Sequence, residues 1–271
     1  MGPGLLRDIL ALGLGLLSGI LSGAVGVGGA IITTPGVRLL GASAFLAVGT
    51  TLPPIVLSAA AGTTRYMRED LVEWRVLAVT APAGVVAVVV GSLASHEVPG
   101  NGHLLMVATA VLVVVSAVRM GWPSPPAGSG SVTEDGSSTE TPAREPGRRY
   151  SLAAGAGVGA AAGLLSGLLG IGGGALLVPA FSEIMDLPLK TSIATSLACV
   201  GMLAVPGTIT HAVLGDVDWP LALFLTLAVL PGARLGAHVT IGAQNRRLQL
   251  AVAVLLGVIG VFYGAGELAA L

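Results

Sequence analysis

Two glycine clusters interrupt apolar sequence in this chain. Gly26, Gly28 and Gly29 lie in LLSGILSGAVGVGGAIITTP, and Gly170, Gly172, Gly173 and Gly174 lie in AGLLSGLLGIGGGALLVP. A glycine costs a helix about 1 kcal/mol relative to alanine, so a cluster weakens the helix where it sits. In lipid, unwound backbone is tolerated only where protein buries it or where it lines a polar cavity. A helix that restarts after such a break presents free N–H groups and the positive end of its dipole, which suits an anion. The competing role is packing, in which the glycines let two helices cross closely.

Thr50–Thr51 and Thr195–Ser196 are the next chemically capable residues. Hydroxyls inside apolar spans can donate to an anion's oxygens without a fixed charge; alternatively they bond carbonyls of their own helix. Arg234, in VLPGARLGAHV, is an ionisable residue inside apolar sequence, with His238 one turn later. A charge at membrane depth marks a functional pathway, unless the side chain snorkels to an interface. The candidate substrate-binding residues are therefore Gly26, Gly28, Gly29, Thr50, Thr51, Gly170, Gly172, Gly173, Thr195 and Ser196, with Arg234 as a possible charge in the pathway. His211, at the end of an apolar span, is expected at an interface.

Other chemistries lack their motifs. No histidines have metal-ligand spacing such as HExxH, and the lone Cys199 cannot build a multi-cysteine site, so neither metal nor cofactor is expected. Gly170-x-Gly172-x-x-Ala175 matches a dinucleotide fingerprint only formally, because it lies mid-span with no βαβ context. No lysine follows either glycine run, and Ser166 in LLSGLLG is not a nucleophile elbow. No basic cluster is interleaved with aromatics, so nucleic acid is not an expected partner.

The elements that carry these residues are repeated. At an offset of 144 residues, Gly19, Leu21, Ser22, Gly23, Gly26, Gly28, Gly29 and Pro35 match Gly163, Leu165, Ser166, Gly167, Gly170, Gly172, Gly173 and Pro179. At 145 residues, Thr50, Leu52, Gly62, Thr63, Val72 and Trp74 match Thr195, Leu197, Gly207, Thr208, Val217 and Trp219, and Glu73 pairs with Asp218. The copies differ as well: Ala30 stands opposite Gly174, Thr33 and Thr34 replace apolar residues, and Pro53–Pro54, expected to kink or start their helix, face Ala198 and Cys199.

Composition places the repeats in a membrane. Of 271 residues, 54% are hydrophobic and only 10% charged, with a mean hydropathy of +0.90. A soluble domain carries about a quarter charged residues. A helical crossing needs about 20 apolar residues. Eight such spans are expected, at about 8–36, 43–64, 74–95, 103–121, 151–184, 190–212, 219–241 and 248–267. The fold class expected is all-α: a polytopic transmembrane bundle of two homologous four-span repeats with interrupted first helices. Residues 1–121 form the first repeat, 122–149 a flexible polar linker rich in Pro, Gly, Ser, Thr and Glu, and 150–271 the second repeat. If each broken helix counts as one crossing, the positive-inside rule puts both termini and the linker in the cytoplasm. The second repeat alone points the other way, as an inverted repeat with an odd number of crossings would.

In GLLSGLLGIGGGALLVPAF, TSIATSLACV and PGTITH, and again in LSGAVGVGGAIITTP and GTTLPPI, the chain resembles the TauE/SafE family of sulfite and organosulfonate exporters. The resemblance covers nearly everything but 122–149. It implies a multi-pass plasma-membrane permease, not an enzyme, whose partners are a small sulfur-containing anion and the bilayer. Export is the favoured direction, because an interior-negative potential drives an anion outward by about 2.3 kcal/mol per charge per 100 mV. The alternative is a non-transporting scaffold, marked by a fully packed interface at both breaks, or an intramembrane enzyme, marked by a Ser–His contact.

Overall fold

The computed structural model describes residues 3–97 and 151–242, except 171, together with isolated helical positions between 107 and 118 and between 250 and 264. The described residues form helices and no strands. Helix α1 spans Pro3–Val25, α2 Ala30–Leu39, α3 Ala44–Met67 and α4 Trp74–Ala94, followed by a 3-10 turn at Ser95–Glu97. Helix α5 spans Leu152–Leu169, α6 Gly174–Glu183, α7 Leu189–Leu214 and α8 Trp219–Gly242. Six of these, all but α2 and α6, contain stretches long and apolar enough to cross a membrane. The expected 122–149 linker lies outside the described residues, and so does most of the spans expected at 103–121 and 248–267.

The segments expected as single long spans at 8–36 and 151–184 each contain two helices. Helix α2 has 10 residues, about 15 Å of helix against a hydrocarbon core of about 30 Å. It runs back along α1. Gly29 packs on Ser18, Gly36 on the Leu14 side chain, and Val37 clusters with Ala11. Helix α6 likewise has 10 residues and turns back on α5, with Gly173 against Ala162. Beyond α6, Met185 comes back to Gly155, near the start of α5.

This doubling back alters the distribution of charge. Arg7 bonds Asp218 at the start of α8, and Ala11, Val37, Ala42 and Leu221 share one apolar cluster. Arg7 and Arg38 therefore lie at one end of the molecule. Arg65, Arg68, Arg75 and Lys190 lie at the other, where the Glu73 amide meets Thr195 and Val79 packs on Gly155. The start of α5, directly after the linker, is thus at the opposite end from Arg7. The expectation that the N-terminus and the linker share one face fails, because hydropathy registers apolar length and not the direction of the chain.

Sequence chemistry explains the helix ends. Glu73 and Asp218 each cap the helix that follows, accepting from the amides of Arg75 and Leu221. A carboxylate at this position meets unsatisfied N–H groups and the positive dipole end. The acidic-Trp pair of each repeat is therefore a helix start, with Trp74 and Trp219 largely exposed beside it. Pro53 and Pro54 neither start nor end a helix; α3 begins nine residues before them and runs on to Met67.

The main packing pairs cross between the halves. Helix α1 packs chiefly on α8, and α4 on α5. Along α1, a methyl on Gly15, Gly19 or Gly23 would fall on the carbonyls of Leu225, Val229 and Ala233; along α5, one on Gly159, Gly163 or Gly167 would fall on those of Thr80, Gly84 and Val88. The two sets correspond position by position under the repeat offsets. Small residues let the backbones touch, which is what drives association when lipid is as apolar as the helix surface. Helices α3 and α7 run antiparallel between these pairs, with Gly62 against Leu197, Ala59 against Gly201 and Leu52 beside Gly207.

Candidate functional site

Each glycine cluster forms the tip of a helical hairpin. Gly26, Gly28 and Gly29 have φ of 73°, 87° and 69°; Gly170, Gly172 and Gly173 have 65°, 79° and 70°. This left-handed backbone costs an L-residue about 1–2 kcal/mol, which explains why glycine recurs at these positions. The two tips reach each other. A methyl on Gly174 would stand 2.5 Å from the Val27 Cα. Gly26 is seated on the Ile193 carbonyl and Gly170 on Val48, equivalent residues of the two repeats.

The hydroxyl pairs hold these tips and the nearby turns. Ser196 Oγ donates to the Gly26 carbonyl at 2.9 Å, from the second repeat to the tip of the first. Thr51 Oγ1 occupies the equivalent place, 3.5 Å from the Gly170 carbonyl. Its shorter contact, 2.9 Å, is to the Val48 carbonyl of its own helix, and Thr34 Oγ1 lies 3.2 Å away. Thr50 Oγ1 accepts from the Asp218 amide at 2.9 Å, and Thr195 Oγ1 accepts from the Glu73 amide at 2.9 Å. All four hydroxyl residues are buried. Thr50 and Thr195 therefore fasten the turn that starts α8 or α4, while Thr51 and Ser196 sit at the tips.

Thr195→Val deletes the acceptor of the Glu73 amide without changing side-chain volume. An amide left unsatisfied costs about 1–3 kcal/mol. The variant is expected to unfold at lower temperature than the wild type, measured by thermal denaturation in detergent, with Thr50→Val showing the same loss at the opposite turn.

The structure does not bring every candidate to the tips. Arg234 and His238 lie on the exposed side of α8, whereas Gly232 and Gly236 of the same helix press against α1. His211, in the last turn of α7, is fully buried within the protein. Its Nδ1 lies 3.0 Å from Asp216 Oδ2 and its Nε2 lies 3.2 Å from the Gly167 carbonyl. At the equivalent position of the first repeat, Tyr66 donates its hydroxyl to the Gly23 carbonyl at 2.6 Å. Sequence reasoning missed Tyr66 and its equivalence with His211, because the two differ in identity and do not score as a repeat match. Ser166 Oγ is buried without a hydrogen-bond partner, and His211 does not bond it. Its counterpart Ser22 has Ser58 Oγ at 3.2 Å, where the second repeat has Leu203. Among the described residues, no group of His, Cys, Asp and Glu could hold a metal ion.

Comparison with known proteins gives this architecture a context. The profile of the family described as "Sulfite exporter TauE/SafE" matches residues 11–263. The chain is 26% identical to the probable membrane transporter protein YunE of Bacillus subtilis (strain 168), over 91% of the chain and 93% of the relative. It is 27% identical to a probable membrane transporter protein of Xylella fastidiosa (strain 9a5c), over 84% of the chain and 83% of the relative. It is also 26% identical to the probable membrane transporter protein MamO of Magnetospirillum gryphiswaldense, over 93% of the chain but only 43% of that protein. No solved structure matches significantly.

Proposed function

The chain belongs to the sulfite exporter TauE/SafE family, a family of multi-pass membrane transporters, and from that membership we propose that it exports small sulfur-containing anions, sulfite or organosulfonates, past the two glycine tips. The observation that carries this is the meeting of the two hairpins, with Gly174 against Val27 and a hydroxyl at each tip. Helices α2 and α6 start at the tips, and their N-terminal N–H groups and dipole ends favour negative charge. The substrate-binding set is Gly26, Gly28, Gly29, Thr51, Gly170, Gly172, Gly173 and Ser196, with Thr50 and Thr195 holding the adjoining turns in register. A methyl has no room between the tips, so an anion passes only when they part. This conformation is the closed one, and alternating access consists of one hairpin moving against the other. Flux of radiolabelled sulfite and of an organosulfonate in proteoliposomes tests the proposal.

The repeats are inverted in this account. Each hairpin returns to its own side, leaving three crossings per half if the spans expected from the sequence at 103–121 and 248–267 each cross once. The positive-inside rule then has one answer. The end with Arg65, Arg68, Arg75 and Lys190 faces the cytoplasm, and the linker joins that end, with Arg144, Arg148 and Arg149 before Ser151. The end with Arg7 and Arg38 faces outward. In a Cys199→Ala background, Leu39→Cys is expected to react with a membrane-impermeant maleimide on intact cells, and Arg68→Cys only after permeabilisation. The reverse pattern, or labelling of both from outside, contradicts this orientation.

A further inference from the structure

The two hairpins share a backbone path but not the side chains that fasten it. Ser18 Oγ of α1 donates to the Gly29 carbonyl at 2.9 Å, tying the start of α2 to the helix before it. The equivalent residue of α5 is Ala162, which packs on Gly173 and has no hydroxyl to donate. Thr34 Oγ1 of α2 lies 3.2 Å from Thr51 Oγ1 of α3; its equivalent in α6 is Val178. Thr240 of α8 donates to the Ala24 carbonyl at 2.8 Å, whereas its equivalent Ser95 donates to the nearby Ser92 carbonyl. Ser22 Oγ meets Ser58 Oγ, whereas Ser166 Oγ is buried without a partner.

The contact that both tips do share is unequal too. Ser196 Oγ donates to the Gly26 carbonyl at 2.9 Å. Thr51 Oγ1 lies 3.5 Å from the Gly170 carbonyl but only 2.9 Å from the Val48 carbonyl of its own helix. A hydroxyl has one hydrogen, and the shorter contact takes it. The second tip and α6 are instead held by apolar packing, with Ala175, Leu177, Val178 and Phe181 buried. Apolar burial has no preferred direction, so such a face can slide and re-seat. A hydrogen bond weakens steeply once its atoms part or tilt. The partnerless Ser166 hydroxyl also leaves the closed second hairpin with a polar group unpaired that the first hairpin satisfies.

We propose that α6 and the second glycine tip are the moving gate of the pathway, and that α2 and the first tip are the fixed wall against which it closes. The assignment rests on the transport function proposed above and names which of its two hairpins moves. The gate turns on the left-handed backbone at Gly170, Gly172 and Gly173. Helix α5 stays in place, because Gly159, Gly163 and Gly167 lock its backbone against α4. Ser18 and Thr34 are positioning residues of the fixed wall, and Ala162 and Val178 are the substitutions that free the gate.

Amide hydrogen exchange of the full chain in lipid nanodiscs, read by mass spectrometry, tests this. In the wild type, peptides covering α6 are expected to exchange about tenfold faster than those covering α2. Ala162→Ser combined with Val178→Thr gives α6 the hydroxyls that α2 has. This double variant is expected to bring α6 to within about threefold of α2 and to slow sulfite efflux from proteoliposomes. Should it not fold, Ser18→Ala decides: exchange is expected to rise in α2 and stay unchanged in α6. Equal exchange in the two wild-type helices, faster exchange in α2, unaltered α6 exchange in the folded double variant, or unaltered α2 exchange in Ser18→Ala overturns the proposal. So does a double variant whose α6 exchanges slowly while sulfite leaves at the wild-type rate. Wild-type protein that exchanges as expected but releases no sulfite counts instead against sulfite transport and leaves the mobility of α6 standing.

Discussion

Gly163→Leu is expected to prevent accumulation of folded protein, whereas Gly157→Leu, on the same helix, is expected to be tolerated. A Cβ on Gly163 would fall on the Gly84 carbonyl, between equivalent clashes at Gly159 with Thr80 and at Gly167 with Val88. The obstructing atom is backbone, so no rotamer change makes room, and α4 and α5 must separate along the ladder. Overpacking a well-packed core typically costs about 1–3 kcal/mol, and occasionally more, and here the backbone cannot give way. Gly157 has nothing within 4 Å of an added Cβ. The pair separates loss of helix propensity or added hydrophobicity from steric exclusion, because both variants change glycine to leucine in α5. The readout is the monodisperse yield on size exclusion together with Tm. Gly19→Leu on α1, seated on the Val229 carbonyl, is expected to fail in the same way, because it is the equivalent contact in the other half.

Gly172→Ala is expected to leave a folded protein that transports about tenfold more slowly. Its φ is 79°, where an L-residue is strained by about 1–2 kcal/mol, and about 1.4 kcal/mol corresponds to a factor of ten. The atoms nearest an added Cβ belong to side chains, Val200 Cγ1 at 3.1 Å and Ile55 Cδ1 at 3.5 Å, and these can move. The strain therefore falls on the tip geometry instead of on the helix ladder. The matching change at Gly28, with φ of 87°, is expected to slow transport as well. Flux per reconstituted molecule, normalised to the folded fraction, separates this outcome from the misfolding expected of Gly163→Leu.

Much of the frame was legible in the sequence. The apolar spans through α3, α4, α7 and α8 follow from hydropathy, since lipid leaves few options but long helices. The glycine positions carried the location of both tips, because left-handed backbone excludes most other residues. The pairs Thr50 with Thr195 and Glu73 with Asp218 were visible as repeats. That each threonine grips the acidic turn of the opposite half was not, because identity at an offset says nothing about which elements meet. The return of α2 along α1 was hidden for a similar reason: Ala30–Leu39 is apolar whether the chain continues across the bilayer or comes back. Gly15, Gly19 and Gly23 of α1 and Gly159, Gly163 and Gly167 of α5 recur every four residues, but that spacing does not name α8 and α4 as partners. His211 looked interfacial from its place at a span's end, and only the fold brings Gly167 and Asp216 to its two nitrogens.

On the proposed function, sulfur-containing anions cross between the two glycine tips. The most direct measurement is efflux of radiolabelled sulfite from proteoliposomes held at an inside-negative potential, with wild type, Gly172→Ala and protein-free vesicles in parallel. Potential-driven efflux is expected from the wild type, about tenfold slower efflux from folded Gly172→Ala, and none beyond leakage from empty vesicles. Equal efflux from wild type and Gly172→Ala would contradict passage at the tips, and wild-type efflux no faster than leakage would contradict sulfite transport itself.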